Sequence, residues 1–116
     1  MKMKERQTSP GIIEQRKRWF EWYKNQKAVM LEPRNGEAYA CPCCGCLTLG
    51  ERGGYEICPV CFWEDDGQDE DNADLILGGP NGSLSLTQAR RNFQEYGACD
   101  RRHLENVREP LPEERP

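Results

Sequence analysis

The chain has 116 residues, of which 36% are hydrophobic and 31% are charged. This length fits one domain, and so small and polar a chain buries a thin core that needs a supplement. The sequence shows no secretory signal peptide and no apolar run near the ~20 residues of a membrane span. We therefore expect a cytoplasmic protein that makes no membrane contact.

The charge is unevenly distributed along the chain. Residues 1–31 hold eight Lys/Arg and three Glu, a net charge of +5, and the remainder holds eight Arg and 17 Asp/Glu, a net charge of −9. This pattern predicts a basic arm on an acidic body. Since phosphate affinity comes from Lys and Arg that neutralise charge, the acidic body disfavours nucleic acid as a partner.

An N-terminal amphipathic helix is predicted over residues 10–31. Trp19, Tyr23 and Met30 fall on nearly the same side at 100° per residue. Two interpretations remain open. The helix either packs on the small domain through this apolar side, or it presents Trp19 and Trp22 as aromatic anchors to a partner.

The strongest motif is a set of four cysteines in two Cys-x-x-Cys pairs, separated by 13 residues. In a reducing compartment, such pairs are typical of metal ligands. Zn²⁺ takes four thiolates in a tetrahedron, and a site closed by four protein ligands is structural rather than catalytic. Iron accepts the same ligands, and buried core thiols or redox dithiols are the alternatives without metal. The predicted metal ligands are Cys41, Cys44, Cys58 and Cys61.

Three further cysteines and the single histidine fall outside this pattern. Cys99 is interpreted as a small core residue, whereas redox sensing stays an alternative for Cys43 and Cys46. His103 is not needed as a ligand where four thiolates are present.

The cysteine pairs lie among short segments with strand character. Residues 37–41, 46–49 and 55–58 have this character, and glycines between the last two segments permit a tight hairpin. The predicted fold is a small α+β protein. Its centre is a zinc ribbon, in which the two Cys-x-x-Cys knuckles lie on a short antiparallel sheet.

An acidic stretch follows, with seven acids and no base in residues 64–74. It is either a solvated loop or an acidic surface beside an exposed Trp63 that faces a basic partner. The candidate partner-binding residues of this stretch are Trp63, Glu64, Asp65, Asp66, Asp69 and Asp71.

A second helix is predicted near residues 86–97. Ser85 is a good N-cap, Gln88 would complete a capping box, and Gly97 suits the left-handed position that ends a helix. Prolines near the C-terminus argue against a further long helix. The predicted organisation is an N-terminal tail and helix (1–35), a cysteine-rich domain (36–109) and a flexible tail (110–116).

Three runs of sequence, residues 39–45, 55–66 and 79–86, together resemble the cysteine-rich CPCC family of bacteria. The likeness covers about residues 38–109. It implies a zinc-binding domain without an assigned enzyme activity, and members tend to occur among genes of toxin and immunity systems. Carried over by motif, the metal positions are Cys41, Cys44, Cys58 and Cys61.

Together, these features predict a protein-interaction module without enzyme activity. The expected role is that of an immunity protein, which inhibits a bacterial toxin by binding it through an acidic face. The alternative is a zinc ribbon that associates with nucleic acid through the basic N-terminal helix.

Overall fold

The computed structural model describes residues 9–27 and 38–116. Within these two ranges, two α-helices and one two-stranded antiparallel sheet form the regular structure, so the predicted small α+β composition is confirmed. No helix in this part of the chain is long and apolar enough to cross a membrane. The elements are α1 (Pro10–Lys27), β1 (Tyr39–Ala40), β2 (Leu47–Leu49) and α2 (Leu86–Tyr96), with 3₁₀ turns at Glu70–Asn72, Gly79–Asn81, Arg101–Asn106 and Pro112–Glu114.

Helix α1 packs on the rest of the protein through one side. Trp19 and Tyr23 are buried, and the Trp19 ring stacks on Phe93 of α2 with 6.4 Å between the ring centroids. Arg16 is buried on the same side, with its guanidinium 5.5 Å from the centre of the Phe93 ring. Trp19 therefore belongs to the core, and its prediction as an anchor for a partner is wrong. Trp22 is half-buried, and residues 28–31 of the predicted helix lie outside the described residues.

The sheet pairs β1 with β2, so that Tyr39 lies opposite Leu49. The predicted pairing of residues 46–49 with 55–58 is wrong. Residues 55–58 contribute one isolated bridge instead, between Ile57 and Glu64. Each cysteine pair thus lies in its own short hairpin. The loop of such a hairpin is shorter than a loop that joined the two pairs, so the entropy cost of closing it is smaller.

Helix α2 begins and ends much as predicted. The Ser85 hydroxyl accepts a hydrogen bond from the Gln88 amide (3.0 Å), and Gly97 closes the helix at φ 99°. The capping box is incomplete, because the Gln88 side chain donates to Asn92 Oδ1 (2.9 Å) instead of turning back to Ser85. The Ser85 hydroxyl therefore provides the side-chain N-cap of this helix.

All seven cysteines are buried and belong to the core. The cysteines take the place that aliphatic side chains hold in larger domains. The other large, fully buried side chains include Leu49, Val60, Trp63, Leu86 and Phe93.

Residues 107–116 lie close in space to the cysteine-rich region. The Arg108 amide donates to the Pro59 carbonyl (3.1 Å), Pro110 is buried, and the Arg108 side chain forms an ion pair with Glu114 (2.8 Å). Of these residues, Pro110 and Glu114 belong to the predicted flexible tail (110–116). The prolines suggest a flexible tail, but they do not reveal these contacts.

Candidate metal centre

The four predicted ligands come together in space. The sulfur atoms of Cys41, Cys44, Cys58 and Cys61 all lie within 4.8 Å of one another and are buried. Two of the separations, Cys41 with Cys61 and Cys44 with Cys58, are 3.7 Å. Sulfurs at the corners of a tetrahedron, each about 2.3 Å from a metal, are about 3.8 Å apart. The four residues therefore fit one tetrahedral ion.

The first cysteine pair lies in a tight turn that we call knuckle 1 (residues 41–46). The Cys41 amide donates to the Cys46 carbonyl, and the Gly45 amide donates to the Cys41 carbonyl, both at 2.8 Å. The amides of Cys43 and Cys46 point at the sulfurs of Cys41 and Cys44, at 3.4 and 3.5 Å. Gly45 adopts the left-handed conformation, with φ 88°.

The second pair lies in knuckle 2 (residues 58–63), which repeats this geometry. The Cys58 amide donates to the Trp63 carbonyl (3.0 Å), and the Phe62 amide donates to the Cys58 carbonyl (2.8 Å). The Val60 amide points at the Cys58 sulfur at 3.4 Å. Phe62 takes the left-handed position, with φ 71°. The two knuckles thus offer their sulfurs from matching turns.

The surroundings of the sulfurs suit thiolates bound to a cation. Burial raises the pKa of the Cys41, Cys44 and Cys61 thiols well above the usual range. Burial also acts to raise the pKa of Cys58, but hydrogen bonds from the other three cysteines and from the Thr48 hydroxyl (3.1 Å) hold it well below that range. A metal ion would offset the cost of burying four such charges, and its binding would release protons.

Thr48 is a contact that the sequence analysis missed. A hydroxyl that donates to a ligand sulfur is a common outer contact of metal sites, and such contacts orient and tune the ligands. Thr48 lies on β2, which pairs with the strand that enters knuckle 1, whereas its partner Cys58 belongs to knuckle 2. No local motif signals a contact of this kind.

The remaining cysteines lie in the core, and the histidine is half-buried. Cys43, Cys46 and Cys99 are buried, and burial raises the pKa of the Cys99 thiol, which keeps it protonated and unreactive. The Cys99 amide donates to the carbonyl of Cys61 (2.7 Å). His103 lies against the Phe62 ring, with 4.3 Å between the centroids, and is not in the cluster of candidate ligands.

The acidic stretch differs from the predicted open surface. Trp63 is fully buried, so its prediction as an exposed residue beside a partner is wrong. Asp65 is also fully buried, because its carboxylate accepts hydrogen bonds from Arg52 (3.0 Å) and from the Gly53 amide (2.6 Å). Asp69 accepts from the Tyr23 hydroxyl (2.7 Å) and from Arg52 (3.1 Å). Asp65 and Asp69 thus bind within the protein.

Two arginines neutralise part of this stretch. Besides Arg52, Arg90 of α2 forms an ion pair with Glu70 (2.8 Å) and donates to the Pro42 carbonyl (2.8 Å) in knuckle 1. Both arginines are distant in sequence from the acids, which is why a local charge count misses them. Of the other acids, Glu64 and Asp66 are half-buried, and Asp71 and Asp74 are exposed.

Comparison with known proteins gives one family. The family model described as "Cysteine-rich CPCC" matches residues 39–114, about two thirds of the chain, from β1 to the last 3₁₀ turn. No curated protein matches the chain. No solved structure matches it. The match contains both knuckles, α2 and the C-terminal residues that contact Pro59, and the chain therefore belongs to the cysteine-rich CPCC family.

Proposed function

We propose that this chain is a zinc-stabilised protein-interaction module in which one ion joins the two knuckles. The observation that supports this proposal most directly is the set of four buried sulfurs within 4.8 Å of one another. Since four protein ligands complete a tetrahedral shell, they leave no position for a substrate or a water molecule. This favours a structural role over a catalytic one.

Zn²⁺ is the ion that we assign to Cys41, Cys44, Cys58 and Cys61. It has no geometric preference of its own and accepts the arrangement that four thiolates impose. When bound, it supplies folding free energy by cross-linking two turns that are 13 residues apart. Iron accepts the same four thiolates, and a coloured protein with visible sulfur-to-iron absorption would identify it.

The proposed partner is a protein, and the proposed biological role is that of an immunity protein that inhibits a bacterial toxin in its host. The resemblance to a family that tends to occur among toxin and immunity genes supports this role, as does the net charge of −9 after residue 31. An acidic surface speeds association with a basic partner. Because Asp65, Asp69 and Glu70 are paired with Arg52 or Arg90, this surface would comprise Glu64, Asp66, Asp71 and Asp74.

The second candidate is association with nucleic acid through α1. Lys17, Arg18 and Lys24 are exposed on this helix and could contact phosphates. The aromatic residues Trp19 and Tyr23 are buried and would not stack on bases. We therefore rank this function below protein binding.

The metal assignment is tested by elemental analysis of the protein purified without added metal. We expect one zinc per chain, and we expect a chelator to lower the unfolding temperature by tens of degrees or to abolish cooperative unfolding. A cooperative unfolding transition that is unchanged after complete metal removal would contradict a structural role.

The partner is tested by capturing tagged protein from its host, with nuclease-treated controls and elution in steps of rising salt. We expect one stoichiometric protein that survives nuclease treatment. Expression of this protein alone should arrest growth, and co-expression of the present chain should restore growth. Nucleic acid released at modest salt, without a protein, would instead favour the second candidate.

A further inference from the structure

Three consecutive large aliphatic residues lie on the surface, between the acidic stretch and the glycine-rich turn. Leu75, Ile76 and Leu77 are 55%, 62% and 51% exposed. Single exposed aliphatic residues are ordinary, but a contiguous exposed set is typical of a surface that another molecule covers. We call residues 75–77 the aliphatic strip. None of the three belongs to the buried core cluster.

The backbone around the strip is held in place by buried and half-buried polar groups. The side-chain amide of Gln68, which is fully buried, donates to the carbonyls of Asn72 and Leu75, both at 2.8 Å. The Leu75 amide donates to the Asn72 carbonyl (3.1 Å). On the side of α2, the Thr87 amide donates to the Ala73 carbonyl (2.9 Å). These bonds fix the backbone up to Leu75, where the strip begins, and backbone that is already fixed loses little conformational freedom when a partner binds.

Charge next to the strip defines the partner's chemistry. Asp71 and Asp74 precede the strip and are exposed, and they lie outside the ion pairs that Arg52 and Arg90 form with Asp65, Asp69 and Glu70. Such a surface repels nucleic-acid phosphates and anionic lipid headgroups. It attracts a segment that carries Lys or Arg beside aliphatic side chains.

We propose that the aliphatic strip and the flanking Asp71 and Asp74 form the docking surface for a basic, aliphatic segment of a partner protein. The proposal rests on the proposed protein-interaction function and assigns that function to one surface of the protein. Aliphatic contact would supply most of the affinity and the two carboxylates would set orientation and association rate. The residues of knuckles 1 and 2 would support the surface without touching the partner.

The probe is a fluorescent peptide of alternating Lys and Leu, measured by anisotropy against the full chain loaded with zinc. Matched peptides replace Leu by Ser or Lys by Glu. We expect the Lys/Leu peptide to bind at least about tenfold tighter than either control. Failure of the Lys/Leu peptide to bind, or equal binding of all three peptides, overturns the proposal.

Variants of the full chain test whether the peptide binds at the aliphatic strip. Ile76→Ser should weaken peptide binding at least about tenfold, and Asp71→Asn with Asp74→Asn should weaken it about two- to tenfold at low salt and reduce its salt dependence. Leu111→Ser is the matched control, because Leu111 is also exposed, at 44%, and lies outside the strip. All variants should keep one zinc per chain. Equal losses for Ile76→Ser and Leu111→Ser would contradict a local surface.

The same variants separate this proposal from the broader function. If the protein captured from the host binds Ile76→Ser as tightly as wild type, the docking surface is wrong and the interaction function stands. If wild-type chain captures no protein, the interaction function itself fails. Self-association that Ile76→Ser abolishes would assign the strip to a second copy of the chain, and vesicle binding that Ile76→Ser abolishes would assign it to lipid; either result overturns the proposal.

Discussion

Knuckles 1 and 2 have nearly the same backbone but different surroundings. In each, an amide–carbonyl pair of 2.8 Å closes the turn, and the residue that closes it has a positive φ. The residue is Gly45 in knuckle 1 and Phe62 in knuckle 2. The left-handed conformation costs a non-glycine residue about 1 kcal/mol or more. The presentation of two sulfurs to one shared ion would account for the common backbone, and packing must explain the different residues.

Packing against α1 makes glycine necessary in knuckle 1. A Cβ at Gly45 would lie 2.6 Å from the Trp19 carbonyl oxygen, which is too close for any side chain. In knuckle 2 the equivalent Phe62 reaches the His103 ring at 4.3 Å. An aromatic contact of this kind contributes about 0.5–1.5 kcal/mol and offsets much of the backbone strain. The comparison shows that helix docking imposes the glycine, since the turn itself tolerates phenylalanine.

The largest expected effect comes from removing a proposed ligand of the ion that the two knuckles would share. Cys44→Ser in knuckle 1 and Cys58→Ser in knuckle 2 should each lose metal binding and cooperative folding. Structural zinc contributes on the order of 10 kcal/mol, comparable with the whole stability of a small domain. Elemental analysis and thermal unfolding measure both effects. Cys43→Ala is the matched control inside knuckle 1 and should keep one metal, and an equal loss in this control would contradict the ligand assignment.

The next effect concerns Arg52, which lies in the connection between the knuckles. Arg52→Ala should cost about 3–5 kcal/mol, because it leaves the fully buried carboxylate of Asp65 without its ion pair. Chemical denaturation of the zinc-loaded protein measures this cost. Arg102→Ala removes an exposed arginine that pairs with Asp100 at 3.3 Å, and should cost less than about 1 kcal/mol. Similar losses in the free energy of unfolding for the two variants would show that the Arg52–Asp65 pair contributes no more to stability than the exposed Arg102–Asp100 pair.

A third pair of variants tests the knuckle comparison itself. Gly45→Ala should cost about 2–4 kcal/mol, because it combines left-handed strain with the clash against Trp19. Phe62→Gly should cost less than about 1 kcal/mol, because relief of strain offsets most of the lost ring contact. Denaturation curves of both variants give the two costs. A larger loss of stability for Phe62→Gly than for Gly45→Ala would contradict the conclusion that packing constrains knuckle 1 more than knuckle 2.

The smallest expected effect lies at the C-terminus. The hydrogen bond from Arg108 lowers the pKa of Glu114, and the Arg108 amide also binds Pro59 of knuckle 2. Glu114→Gln should lower stability by less than about 1 kcal/mol at neutral pH, since an ion pair at the surface, with an arginine that is 42% exposed, contributes little. Denaturation measures the difference, with Glu113→Gln as the neighbouring control. A loss of several kcal/mol would mean that the C-terminal turn is a main support of knuckle 2.

The metal ligands were predictable from the sequence, whereas most of their surroundings were not. Cys41 and Cys44 lie on one turn, so their spacing alone indicates a shared ion, and Ser85 likewise indicates the start of α2 through local chemistry. The burial of Trp63 and Asp65 depends on Arg52 and on helix docking, which no local pattern encodes. The strand pairing was misassigned for the same reason, because glycines between two segments permit a hairpin without requiring it.

The central claim is that one ion, held by two sulfurs from each knuckle, joins the two halves of the site. X-ray absorption spectroscopy at the zinc K edge of the purified protein tests it most directly. We expect one zinc per chain with four sulfur neighbours at about 2.3 Å and no nitrogen or oxygen ligand. Fewer than four sulfurs, a light-atom ligand, or a second metal nearby would contradict the account.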